Sequence, residues 1–170
     1  LAFGTRANAV TTIGGETTKA INQLYAYYNV NDKLTLTAGH FNTFLGYEVI
    51  SPVANFNYST SYLFSYGPFS HAGLKADFNL GNDWSAMLAV MNATDLTDVN
   101  PFGNYTLGAQ LGYSGQYLNL VYGPQGFGEQ VEEGTINIVD TDIKSLFQID
   151  YTGGFDVSDS FFLGINASYQ

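Results

Sequence analysis

Polar and apolar residues alternate along most of this chain. Over residues 71–80, Ala72, Leu74, Ala76, Phe78 and Leu80 share one face, and His71, Gly73, Lys75, Asp77 and Asn79 share the other. A period of two predicts a β-strand whose faces meet different surroundings. The same reading sets Trp84, Ala86, Leu88 and Val90 against Ser85, Met87 and Ala89. It sets Tyr105, Leu107, Ala109, Leu111 and Tyr113 against Thr106, Gly108, Gln110 and Gly112. Leu118, Leu120 and Tyr122 oppose Asn119 and Val121, while Leu163, Ile165 and Ala167 oppose Gly164, Asn166 and Ser168. Less regular strands are predicted over residues 1–9, 19–30, 34–38 and 143–151, the last with Leu146 out of phase. The total is about nine strands.

The connections alternate as well. Asn29-Val30-Asn31-Asp32-Lys33, Gly81-Asn82-Asp83 and Ser114-Gly115-Gln116 are short, whereas the segments after Phe41, over residues 93–104 and over residues 123–141 are long. A soluble sandwich has no reason to gather its long loops at one end. An up-and-down sheet whose ends face different compartments does, and outer-membrane barrels put short turns in the periplasm and long loops outside. The expected fold is therefore all-β, an antiparallel up-and-down transmembrane β-barrel.

Composition agrees. Charged residues make up 12% of the chain, about half the usual share, while aromatics reach 16% and 19 residues are glycine. That mixture suits a sheet facing lipid on one side. The net charge is −10 with five basic residues, which argues against nucleic-acid binding, since phosphate contacts need clustered Lys and Arg. The absence of cysteine removes disulfides and thiol chemistry. Trp84, Tyr105, Tyr113, Tyr122, Tyr151 and Tyr169 fall near strand ends, as in interfacial girdles, although Tyr also has high β-propensity. An odd strand count does not close an ordinary bacterial barrel. Leu1-Ala2-Phe3-Gly4 also reads like the middle of a strand. Residues 1–170 are accordingly expected to be one barrel region, incomplete at both ends, with an export signal upstream.

One segment carries a resemblance. It runs Gly39-His40-Phe41, then Gly46-Tyr47-Glu48, Pro52, Asn55-Phe56-Asn57-Tyr58-Ser59, Gly67-Pro68 and His71-Ala72-Gly73. This resembles the β-barrel porin-2 family of Gram-negative outer-membrane proteins, found in Bacteroidota among others. There a Gly-x-Phe strand end is followed by Gly-x-Glu, an Asn-x-Asn-Tyr-Ser stretch, Pro and His-x-Gly. Leu45 stands where the family often has Pro. The resemblance implies a passive pore rather than an enzyme, and it brings no catalytic residues or cofactor with it.

The loop itself has few charges and many aromatics, among them Phe44, Tyr47, Phe56, Tyr58, Tyr62, Phe64 and Tyr66. Such a loop should not lie free in water. It is expected to fold into the barrel mouth, with a short helix over residues 58–66, or to pack on the rim. In the first case Tyr47, Glu48, Asn57 and Tyr58 are constriction candidates. Alternation places Arg6, Lys75, Asp77, Asn79, Gln110, Lys144, Gln148 and Asp150 on the lumen face. There they would set ion selectivity or pair across strands to hold the wall. Asp95, Asp98, Glu132 and Glu133 are oxygen donors that Ca²⁺ could use, but no EF-hand spacing is present, and a solvated acidic surface is the commoner explanation. An acidic mouth would favour cations.

The first functional reading is an outer-membrane porin passing ions or small hydrophilic solutes, with lipid, lipopolysaccharide and a possible second copy as neighbours. The alternative is a non-conducting barrel serving as a structural or docking subunit of an envelope complex. A soluble carbohydrate-binding β-protein ranks behind both.

Overall fold

The structure, a computed structural model, describes residues 21–94, 100, 103–124 and 145–170. Eight antiparallel strands form one sheet in chain order: β1 (Leu24–Asn31), β2 (Leu34–Asn42), β3 (Ser70–Gly81), β4 (Trp84–Met91), β5 (Thr106–Tyr113), β6 (Gln116–Pro124), β7 (Ser145–Ser158) and β8 (Phe161–Tyr169). The sheet is not closed, and β1 and β8 are its edges. The strand expected over residues 1–9 lies outside the described residues. A helical turn, α1 (Tyr62–Tyr66), and a 3-10 turn (Pro52–Ala54) both lie in the β2–β3 connection. The helix is thus shorter than the expected span of 58–66.

Each short turn reverses the chain in two residues. Asn82 and Asp83 have φ of 50° and 65°, and Ser114 and Gly115 have 48° and 82°. Positive φ at both central positions marks the turn whose twist matches that of the flanking strands. All the short turns therefore lie at one end, and the three long connections, after β2, β4 and β6, lie at the other.

Register sorts the side chains by face. Leu74 pairs with Val90, Leu88 with Ala109, Leu111 with Leu118 and Leu120 with Ile149, which makes one continuous outer surface. Its large apolar residues are open: Leu74 is 52% exposed, Leu88 59% and Leu107 54%. Ten polar residues are buried instead among the described residues, Asn119, Asp150, Gln148, Thr37 and Thr106 among them. A water-soluble protein is built the other way round. The exposed surface is also zoned. Tyr28, Trp84, Tyr113 and Phe161 lie towards the short turns, Tyr105, Tyr122 and Tyr169 towards the long loops, and aliphatic side chains between them. Trp84 and Tyr113 stack with ring centroids 4.6 Å apart. Nine residues reach about 30 Å along a strand, or about 22 Å of height at a tilt of ~40°, close to the apolar band of a membrane barrel.

β7 runs seven residues past its expected end at Tyr151, pairing with β8 as far as Ser158. Thr152-Gly153-Gly154 resembles a turn, yet the ladder continues through it. The side-chain space at Gly153 is taken by the Tyr151 hydroxyl, and that at Gly154 by the Phe162 ring.

The face assignment has a direct consequence. In a bilayer, Leu88→Arg or Leu107→Arg should cost ~2–4 kcal/mol of folding free energy. Thr35→Arg, on the opposite face and paired with Asp77, should change it by less than about 1 kcal/mol. Urea unfolding of the vesicle-inserted protein measures both.

Candidate functional site

The site is built where the first long connection meets the concave face. Its base is closed by Thr43 N–H donating to the Phe69 carbonyl at 3.0 Å, and by Thr43 Oγ1 lying 3.0 Å from His71 Nε2. The chain then turns inward. The Phe44 ring stacks on His71 with centroids 5.2 Å apart and joins an apolar cluster of Phe41, Met87, Ala89 and Met91. Gly108 makes this approach possible, since a Cβ there would lie 2.7 Å from the tip of the Phe44 ring. The cluster explains why residues 86–91 of β4 are apolar on both faces. Leu88 and Val90 are exposed on its outer side, while Met87, Ala89 and Met91 are buried on the inner one among Phe41 and Phe44.

From Phe44 the loop crosses the wall towards β7 and β8. Gly46 N–H donates to Asp150 Oδ1 at 2.9 Å, and Tyr47 N–H donates to Asn166 Oδ1 at 3.3 Å. The Tyr47 ring lies against Gly164, 3.1 Å from where a Cβ would be. Beneath the crossing, a row of amides links four strands. Gln110 Nε2 donates to Asn119 Oδ1 at 2.7 Å, Asn119 Nδ2 to Asp150 Oδ1 at 3.0 Å, and Asn166 Nδ2 to Asp150 Oδ2 at 2.7 Å. Asp150 is 2% exposed. A buried carboxylate is tolerated only when hydrogen bonds replace its water, and this one has three donors among the described residues.

The remainder of the loop organises itself. Glu48 accepts from Ser61 N–H, at 2.9 Å to one carboxylate oxygen and 3.1 Å to the other, and from the Ser61 hydroxyl. Ser61 Oγ in turn accepts from Phe64 N–H, capping α1. The Asn55 amide clasps the backbone of Val49 with two bonds of 2.8 Å. Phe56, Tyr58, Tyr62 and Tyr66 remain exposed.

The residues expected in the lumen divide into three groups. Gln110, Gln148 and Asp150 sit on the concave face and bond to neighbouring strands, Gln148 Nε2 donating to Ser168 Oγ at 3.1 Å. Lys75 and Asp77 form an ion pair of 2.8 Å further from the loop, and Asn79 Oδ1 accepts from Gly81 N–H near the short turn. Arg6 and Lys144 lie outside the described residues, as do Asp95, Asp98, Glu132 and Glu133. Of the constriction candidates, Tyr47 and Glu48 take part in the inward fold, whereas Asn57 and Tyr58 are exposed. Alternation does not single out Asn119 and Asn166 as site residues. It puts both on the polar face, but nothing in it shows that they touch a loop far away in the chain.

Among the described residues, no group of three or more His, Cys, Asp or Glu converges as metal ligands would. No described helix is long and apolar enough to cross a membrane, which says nothing of strands.

The family model described as "Putative beta-barrel porin-2, OmpL-like" matches residues 1–170, and the chain belongs to that family. No curated protein and no solved structure matches it.

If Phe44 seats on Gly108, a side chain at residue 108 must unseat it. Gly108→Leu should speed amide hydrogen exchange over residues 44–48 by about tenfold, equivalent to ~1.4 kcal/mol of local opening, while the exchange of β1 and β8 stays unchanged. Peptide-resolved exchange mass spectrometry reads both.

Proposed function

We propose, from a chain of the porin-2 family with an exposed apolar face and a buried polar one, that the protein is an outer-membrane porin. Ions or small hydrophilic solutes diffuse down their gradients through its water-filled lumen. The β2–β3 loop, folded onto the concave wall, narrows that passage on the long-loop side. The long loops face outward and the short turns face the periplasm, following the usual asymmetry of such barrels. Lipid and lipopolysaccharide contact the apolar face, and a second copy of the chain is a candidate neighbour. The reading gives the protein no catalytic step.

The observation that carries this proposal is the inverted sheet. Leu74, Leu88, Leu107 and Leu111 are open while Asn119, Gln148 and Asp150 are buried. Lipid makes the first arrangement favourable, and a hydrated, hydrogen-bonded interior makes the second tolerable. Lys75 and Asp77, away from the loop, supply charge that a permeating ion would meet.

A second reading keeps the barrel and removes the pore. Tyr58 and Tyr62 are 93% and 90% exposed on the inward-folded loop, as a plug or a docking surface would present them. The barrel would then be a structural subunit of an envelope complex.

Planar-bilayer recording of the full-length protein separates the two. Stepwise, ohmic openings that favour cations are expected of the porin. Insertion without any conductance would overturn it in favour of the structural subunit.

A further inference from the structure

Alternation puts Asp150 on the lumen face, to act on ions or to pair across strands, and it lies buried beneath the loop it contacts, bonded to both neighbouring strands. We propose that Asp150 is a positioning residue. Together with Asn166 it forms a latch on the barrel wall that fixes residues 44–47 across the concave face.

The geometry is that of a clamp. Asp150 Oδ1 receives both Gly46 N–H from the loop, at 2.9 Å, and Asn119 Nδ2 from the adjacent strand, at 3.0 Å. Its Oδ2 receives Asn166 Nδ2 at 2.7 Å, and the Oδ1 of that same Asn166 accepts Tyr47 N–H at 3.3 Å. Two consecutive loop amides are thereby held by two side chains that also hold each other. All three described donors to Asp150 are neutral, and their hydrogen bonds are the stronger for ending on a carboxylate. Gly46 has a φ of 81°, a conformation that turns the chain there at little cost only for glycine. If a loop swung freely in the lumen, the carboxylate would face water and gain nothing from burial. The wall thus sets the direction of the loop at Gly46 and Tyr47, beyond the anchor that Phe44 provides.

This proposal concerns the position of the loop. Its effect on conductance rests on the diffusion reading above, and the test keeps the two apart. The chain has no cysteine, so a single introduced thiol reports one place. Leu45, 5% exposed, lies in the crevice between the loop and the wall that Asp150, Asn166 and Ser168 help to line. In full-length Leu45→Cys protein, an aqueous maleimide should react slowly. Adding Asp150→Ala should raise the rate about tenfold, the equivalent of ~1.4 kcal/mol. The exchanged pair Asp150→Asn with Asn166→Asp keeps an acceptor for each loop amide and a bond between the two side chains, but it turns the 3.1 Å bond from Asn166 Nδ2 to the Tyr151 carbonyl into a contact between two oxygens that a small shift must relieve. It should recover part of the slow rate, which a merely structural role would not produce. Asp150→Asn alone keeps the shape and one acceptor, and serves as the test should the alanine variant not insert. It should react at an intermediate rate. Unchanged labelling in both single variants would overturn the latch, as would failure of the exchanged pair to recover. Wider single-channel steps in Asp150→Ala are expected if the loop narrows a pore. A wild-type protein that never conducts would sink the diffusion reading while leaving the labelling result to decide the latch.

Discussion

Every backbone N–H and C=O placed in hydrocarbon must be paired within the protein, because lipid offers no partner and each unpaired group costs several kcal/mol. For strands this leaves one solution, in which each strand bonds to a neighbour on both sides. The consecutive pairing from β1 to β8 meets that demand for the six inner strands. Once it is met, the side chains have no freedom of face. The pleat sends alternate residues to opposite sides, and the register from Leu34 opposite Phe78 through Asp150 opposite Ser168 keeps the rows in phase, apart from single-residue shifts beside three of the short turns. The lipid-facing surface, the polar wall and the place of the loop all follow from that ladder.

A polar wall brings its own constraint. Amides and carboxylates facing inward must find water or one another. Near the short turns they have room, and Asn79 is exposed. Towards the long loops the β2–β3 connection covers them, and there they form the row from Gln110 to Asn166. The loop is held by two kinds of contact at once. Aromatic packing on Met87 and Met91 anchors Phe44, and hydrogen bonding anchors Gly46 and Tyr47. Neither kind alone would fix both the depth and the direction of the crossing.

Much of this is legible in the sequence, for a physical reason. Strand existence and facing depend on a local period, so alternation alone sorts the residues of β3 and β5 into their two faces. The alternation of short and long connections is local too. The course of the loop is not legible, because it depends on pairings such as Gly46 with Asp150 that are remote in the chain. One local clue does point to it. Residues 86–91 are apolar on both faces, which in a barrel means that something covers the inside. The end of β7 is misplaced by local signals because Gly153-Gly154 indicates a turn when taken alone, whereas the Tyr151 and Phe162 side chains take up the space those glycines leave.

The central claim is that the apolar side of this sheet faces lipid and the polar side faces a hydrated interior. Single cysteines placed in turn along residues 106–111 of the vesicle-inserted, otherwise cysteine-free protein test it most directly. Reactivity should show a period of two, with residues 107, 109 and 111 reacting with a lipid-soluble reagent and residues 106, 108 and 110 shielded from it. Equal reactivity along the strand, or the opposite phase, would contradict the account.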